Sequence, residues 1–216
     1  MHDHQDNSAA IPSRASSSSN AASGATSGAS GVDGRPAGWF THQEGECYRA
    51  EAARFPGGTL VEVGVWLGRS LSFIAPQALE LGQTLHAVDT WRGSPSDLTG
   101  TIARGADIYA AFLLNMRELG VEAVVRPLRM ASSEAASLFA NGSVDLVMID
   151  GDHRYEAVSA DLDAWLPKLR RGGAIMGHDF DPVNWPGVVR AVTERWPRVR
   201  RERRLWIHRP LKGDAP

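Results

Sequence analysis

Asp150, Gly151, Asp152 and His153 follow one another directly, and His178 and Asp179 stand side by side further on. Carboxylates hold cations and orient protons. An imidazole, with an ordinary pKa of about 6.5, is largely neutral at cell pH and can accept a proton. The first group is fed by Val144, Leu146, Val147, Met148 and Ile149, interrupted only by Asp145. Such a partly β-branched apolar run suits a strand buried on both faces. Open parallel α/β sheets build their sites in the crevice beyond the C-terminal ends of strands. Asp150 and His153 are therefore read as the reaction centre.

The elements that must position them alternate along the chain. Residues 39–55 predict a helix on the domain's edge, ended by Pro56-Gly57-Gly58. Residues 59–64 predict the first core strand, and Gly64 to Ser70 its exit loop. A helix then runs to about Leu81 and is interrupted by Pro76, which removes a backbone donor. Residues 84–89 predict a second strand, 90–105 a polar loop, 106–119 a helix with an Ile108, Phe112, Met116, Leu119 stripe, and 121–128 a third strand. Ser132 or Ser133 is expected to cap a short helix ended by Asn141-Gly142. After the fourth strand, Val158, Leu162, Trp165 and Leu166 mark a helix from Tyr155 to about Leu169, with Pro167 breaking its last turn. Residues 174–177 give strand five, 187–196 a helix and 198–209 a terminal hairpin. Alternation of this kind predicts a doubly wound α/β fold, with helices on both faces of a mostly parallel sheet.

The exit loop reads Glu62-Val63-Gly64-Val65-Trp66-Leu67-Gly68-Arg69-Ser70. Strand, glycines and helix in that order let a ligand lie against backbone N–H groups. The spacing is G-x-x-x-G, not the G-x-G-x-x-G of dinucleotide sites. An acid two residues before the first glycine suits a ligand that carries an amino group. Asp89 ends the second strand 25 residues after Gly64, near the offset at which an acid binds ribose hydroxyls; a turn cap is the alternative. Met130-Ala131-Ser132 ends the third strand, where an adenine edge would then lie.

The 216 residues allow one α/β domain with an appendage, and the formal charge of −2 gives no global reason to expect nucleic acid or an anionic membrane. Arginines crowd the end of the chain and are read as a solvated edge hairpin. Residues 1–35 are Ser/Ala/Gly-rich and read as a disordered tail; residues 36–216 form the domain. His2 and His4 have no second ligand cluster nearby and are not taken as a metal site. Cys47 stands alone, there is no apolar run long enough to span a bilayer, and the N-terminal region lacks the apolar core of a signal peptide. A cytoplasmic location is expected.

Taken in order, Glu62-x-Gly64-x-x-x-Gly68, Asp89-Thr90-Trp91, Ile149-Asp150-Gly151-Asp152-His153-x-Tyr155 and Gly172-Gly173-x-x-x-Gly177-His178-Asp179-Phe180 resemble class I S-adenosylmethionine-dependent methyltransferases. Within them the chain is most similar to the small bacterial branch of macrolide-sugar and other natural-product O-methyltransferases, over residues 60–196. The resemblance implies a Rossmann-like sheet of seven strands with an antiparallel C-terminal hairpin. It implies that Gly64, Gly68 and the loop to Ser70 line the methionine part of S-adenosyl-L-methionine, with Glu62 supporting that loop or meeting the amino group. Asp89 would bind the ribose, Ser132 would lie near the adenine, and Asp150 would border the cofactor. A divalent metal would be held by Asp150, His178 and Asp179, with His153 as the base. The acceptor would be a hydroxyl of a small molecule, with no membrane or nucleic-acid partner, and a homo-oligomer is admitted.

His153 also has readings as a metal ligand and as a cap of the following helix. His178 departs from the pattern, because relatives place two acids, or an acid and an amide, after strand five. Magnesium prefers oxygen, whereas imidazole suits a transition metal. Either His178 faces the substrate while Asp150 and Asp179 hold magnesium, or the metal differs, or none binds. Asp152 is read as a helix-start acid favoured by the dipole, with a third metal ligand as the alternative. Trp66, Trp91 and Trp185 either wall a pocket or close the core. The rival functions are a nicotinamide-dependent oxidoreductase, a non-catalytic binding module on the same fold, and an RNA-modifying enzyme.

Overall fold

The computed structural model describes residues 31, 33–94 and 98–210. The tail expected over residues 1–35 lies almost wholly outside them.

Seven strands form one sheet in the order β3-β2-β1-β4-β5-β7-β6. In chain order these are β1 (Thr59–Val63), β2 (Thr84–Asp89), β3 (Val125–Arg129), β4 (Val144–Ile149), β5 (Leu169–Gly177), β6 (Arg200–Glu202) and β7 (Leu205–His208). The first five are parallel, and β7 runs antiparallel to both β5 and β6. β1 lies between β2 and β4, so connections leave it toward opposite edges, and a crevice opens at the strand ends there.

Alternation of side chains divides the core. Leu60, Leu85, Leu146 and Met148 face a layer built from α1 (His42–Ala52), α2 (Leu71–Leu81) and α4 (Ile108–Glu118), where they meet Tyr48, Ile74, Phe112 and Met116. Val61, Val63, Val147 and Ile149 face the layer of α5 (Ser132–Ser137), α6 (Tyr155–Trp165) and α7 (Pro186–Arg195). All six residues of β4 are buried, as a strand covered on both faces requires. Asp145 is tolerated there because its carboxylate accepts from the Thr59 amide at 2.8 Å and pairs with Arg170.

Pro76 lies inside α2. Without an N–H it leaves the carbonyl of Ser72 without its helical partner, and Arg35 fills the gap by donating to that oxygen at 2.6 Å. The same guanidinium stacks 3.9 Å above the Phe73 ring. A local break in the helix ladder thus anchors the N-terminal strap.

Four expectations need correction. The segment expected as loop over 90–105 contains α3 (Leu98–Gly105), because Gly93 turns with φ +67° and packs close against the Thr99 backbone. β3 begins at Val125, since residues 121–124 close a turn with bonds back to Met116 and Val121. β5 begins at Leu169, earlier than its apolar run, because an irregular register against β4 carries the polar Arg170-Arg171 into the strand. Ser132 does not cap α5: Ala131 is the N-cap, and the Ser132 hydroxyl instead accepts from Trp165 Nε1 at 2.9 Å. Pro167 does end α6, which finishes in a 3-10 turn over Leu166–Lys168.

Many of the terminal arginines are neutralised within the fold. Arg200 and Arg209 pair with buried Glu51 at 3.0 and 2.5 Å, and Arg195 pairs with Asp163 at 2.7 Å. Among the described residues no helix is long and apolar enough to cross a membrane.

Leu146 is fully buried at the centre of the sheet. Its replacement by alanine should lower unfolding free energy by about 3 kcal/mol, from lost burial and a residual cavity. Urea denaturation with an unchanged slope would check this.

Candidate functional site

β1 ends one residue before Gly64, whose φ of +84° is open to glycine at little cost. A Cβ there would lie 2.1 Å from the carbonyl oxygen of Asp150, so the absence of a side chain lets the β1 loop touch the β4 loop. The two loops close one end of a cavity of about 780 Å³, within the range of about 300–1,000 Å³ usual for small-molecule sites. Gly64, Ser70, Asp89, Ser132, Asp150, His153, His178 and Asp179 all line it. Gly68 lies behind, with φ +85° and its Cα hydrogens against Met116 and Phe112.

Glu62 is also behind the wall. The strand alternation turns it into the apolar α1–α2 layer, where it is 1% exposed and accepts a hydrogen bond from the Ser70 hydroxyl at the start of α2. Burial pushes its pKa up to about 8, with the Ser70 bond opposing. Its second oxygen has no hydrogen-bond partner, and the Tyr48 hydroxyl nearby likewise has none of ordinary geometry. Glu62 therefore supports the glycine loop from below.

Asp89 is committed in part to the backbone. It accepts from the amides of Val65 at 2.9 Å, Trp66 at 2.8 Å and Trp91 at 2.7 Å. The turn-cap reading and the cavity position hold together, since a carboxylate has about four acceptor sites. Burial raises its pKa, and these amides oppose the rise. Trp66 follows in a left-handed conformation and lines the cavity, as does Trp185, whereas Trp91 is 3% exposed and packs on Phe112.

Beyond β4 and β5 the charged groups gather. His153 Nε2 lies 2.8 Å from Asp179 Oδ2, and its ring packs on Trp185 with centroids 4.0 Å apart. Asp150, His153 and Asp179 each bring a ligand atom to within 4.8 Å of the others, the spacing of a cation site. Two carboxylates and one imidazole form a donor set that fits a divalent ion. This trio differs from the one implied by resemblance, because His153 takes the place of His178.

His178 is buried behind the trio. Its Nδ1 is 3.4 Å from Asp150 Oδ1 and 3.3 Å from Asp179 Oδ2, while Nε2 is 3.4 Å from Glu44 Oε2. Burial opposes its charge, but the three carboxylates outweigh that and push its pKa up to about 12. Asp150 is raised by burial, with His178 opposing; Asp179 is held well below the usual range by His153 and His178 against the pull of burial. Arg204, from the β6–β7 turn, completes the network 3.2 Å from Glu44 and 3.5 Å from Asp179.

Glu44 and Asp161 are two further acids that the sequence reading did not single out. Glu44 stands in the first turn of α1, where its carboxylate also accepts from the Thr41 amide at 2.9 Å. Asp161 lies in the buried stripe of α6, between Val158 and Trp165, and borders the cavity beside Ser132. An acid inside an apolar stripe was the available signal. Asp152 accepts from the Arg154 amide at 3.0 Å ahead of α6, as a helix-start acid does, and Tyr155 packs at the surface with its hydroxyl on Glu194 at 2.6 Å.

The profile of a family described as "Methyltransferase domain" matches residues 61–180. The uncharacterized protein y4gI of Sinorhizobium fredii is 33% identical over 125 residues, which are 56% of this chain and 13% of that much longer protein. Among solved structures, a protein of Corynebacterium glutamicum aligns at 20% identity with TM-score 0.56, covering 85% of this chain and 87% of that one. CalS11, a TDP-rhamnose 3'-O-methyltransferase of calicheamicin biosynthesis, aligns at 18% identity with TM-score 0.54, over 81% and 82%. An S-adenosylmethionine-dependent O-methyltransferase of Thermotoga maritima aligns at 14% identity with TM-score 0.54, over 71% of this chain and 49% of its own. At these identities the structures share the fold.

The raised pKa of Glu62 makes stability depend on pH. The folded state holds this proton more tightly than the unfolded chain, so the contribution is complete below about 4.5 and is lost as pH rises through about 8. Glu62→Gln should flatten the fall in melting temperature between pH 5 and pH 9 and melt higher than wild type at pH 9. Parallel curves for the two proteins would show that Glu62 titrates normally.

Proposed function

The chain belongs to the methyltransferase-domain family, and on that premise we propose that it methylates a hydroxyl of a small molecule, a sugar or a secondary metabolite. The observation that carries this reading is that Asp150, His153 and Asp179 open onto the same cavity as the glycine turn at Gly64. S-adenosyl-L-methionine, when bound, supplies a methyl carbon made electrophilic by its sulfonium sulfur. Gly64 and the loop through Ser70 would border its methionine part, Asp89 its ribose and Ser132 its adenine. The sugar acceptor is suggested by the substrate in the name of CalS11.

A neutral hydroxyl is a poor nucleophile, so a group must take its proton as the carbon–oxygen bond forms. His153 is assigned that role. The 2.8 Å contact to Asp179 fixes its ring and stabilises the imidazolium that proton uptake creates. Trp185 against the ring restricts its rotation and keeps water from one face. Asp150 and Asp179 would hold a divalent cation, magnesium or a transition metal, which when bound lowers the acceptor's pKa and fixes its orientation.

A second reading has support of its own. The mutual spacing of Asp150, His153 and Asp179 also makes His153 a third metal ligand, in which case an imidazole favours a transition metal over magnesium.

Calorimetry with S-adenosylhomocysteine is the first check, and absence of binding would remove the methyltransferase reading. His153→Ala should cut turnover by about 10²–10⁴-fold while leaving affinity for S-adenosylhomocysteine near wild type. If His153 is the base, metal affinity measured by calorimetry stays unchanged in that variant; if it is a ligand, metal affinity falls together with activity. Chelation should abolish turnover, and titrating back magnesium, manganese, zinc and iron(II) would identify the ion.

A further inference from the structure

Among the described residues, Arg69, Arg92 and Arg204 are the arginines that line the cavity. Two of them are committed to the fold. Arg69 donates to the carbonyls of Phe40 and Pro36 at 2.6 and 3.0 Å and pairs with Asp33 at 2.7 Å. Arg204 pairs with Glu44 and Asp179 and donates to the Trp39 carbonyl at 2.9 Å. Arg92 is exposed, and its guanidinium has no hydrogen bond or ion pair with any described residue; only its backbone amide is bonded, to Thr90 Oγ1 at 3.3 Å.

The turn that displays Arg92 is held on both sides. Trp91 is buried at φ +52°, its amide donates to Asp89 Oδ1 at 2.7 Å and its Nε1 to the Trp66 carbonyl at 2.8 Å. Gly93 packs close against the Thr99 backbone. Asp89, three residues back, turns its carboxylate to the amides of Val65, Trp66 and Trp91. The carboxylates of Asp150 and Asp179 lie beyond β4 and β5. Since β1 separates β2 from β4, the tips of β2 and β4 stand about 10 Å apart, two intervals of about 4.8 Å. A fixed positive charge at one end of the cavity and acids at the other would orient an anionic molecule.

We propose that the methyl acceptor carries a phosphate on the order of 10 Å from the hydroxyl that is methylated, and that Arg92 binds this phosphate as the specificity-determining residue. The assignment rests on the methyltransferase reading above. A guanidinium is always charged, and its planar fork of donors matches a phosphate with two parallel hydrogen bonds. At an exposed position a singly charged carboxylate gains little, whereas a phosphate brings up to two charges and three acceptor oxygens. Trp39, Trp66 and Leu98 line the same cavity and offer apolar surface to the body of such a molecule.

The test uses the full-length protein saturated with S-adenosylhomocysteine, free of metal, and titrated in a calorimeter with uridine and with uridine diphosphate, which differ only by the diphosphate. Wild type should bind the diphosphate about tenfold or more tightly than uridine, and added salt should narrow the gap. Arg92→Gln should lose most of that preference while its affinity for S-adenosylhomocysteine stays at the wild-type value, which also shows that the variant is folded. Arg92→Lys should keep part of the preference, since an ammonium retains the charge and loses the fork. No preference for the diphosphate in wild type, or an undiminished one in Arg92→Gln, would overturn the assignment. Weaker binding of S-adenosylhomocysteine by Arg92→Gln would overturn it too, because the anion at Arg92 would then be the cofactor's own carboxylate. Failure of wild type to bind S-adenosylhomocysteine would instead defeat the methyltransferase reading itself, a result distinguishable from the others.

Discussion

A buried imidazolium allows carboxylates to crowd the end of this sheet. His178 is placed among Glu44, Asp150 and Asp179, each within 3.4 Å of one of its nitrogens. Taking such charges out of water is costly unless they are paired, and a lone buried carboxylate would protonate. With His178 charged and Arg204 on the outer side, three carboxylates face two cations. Removing His178 would leave acids unpaired at that point and disturb the fold together with the site.

The same arrangement shows why His178 and His153, both on strand-end loops, have different tasks. His178 is enclosed by Phe40 and three acids and is held protonated. His153 meets Asp179 at the cavity and packs on a tryptophan. One ring is enclosed among acids, and the other stands where the proposed role of base or metal ligand requires an imidazole. Asp179 touches both, in a left-handed backbone conformation that turns its carboxylate back toward them. Non-glycine residues pay steric energy for that conformation, and here the paired histidines hold it in place.

Much of the architecture was legible along the chain because it follows from local period. The apolar run of β4, the α6 stripe and the glycine punctuation each report on a few neighbouring residues. Errors fell where tertiary packing overrides local signals. α3 forms in a short stretch whose two large apolar residues at helical spacing, Leu98 and Ile102, stay exposed, and β5 extends backward through arginines because β4 offers it a pairing edge. Ser132 looked like a cap, yet a tryptophan from another helix claims its hydroxyl.

The sequence by itself determined the order of strands and helices, the glycine turn after β1, and the acids and imidazoles that stand at strand ends. These are matters of side-chain period and backbone freedom, which neighbours in the chain settle. Only the tertiary structure decided which of those groups meet. It sent Glu62 behind the wall, set His178 among three carboxylates, and brought Glu44 and Asp161 in from helices to the groups at the strand ends. Distance between residues remote in sequence, and the burial that shifts their charge, exist only once the sheet has closed its layers.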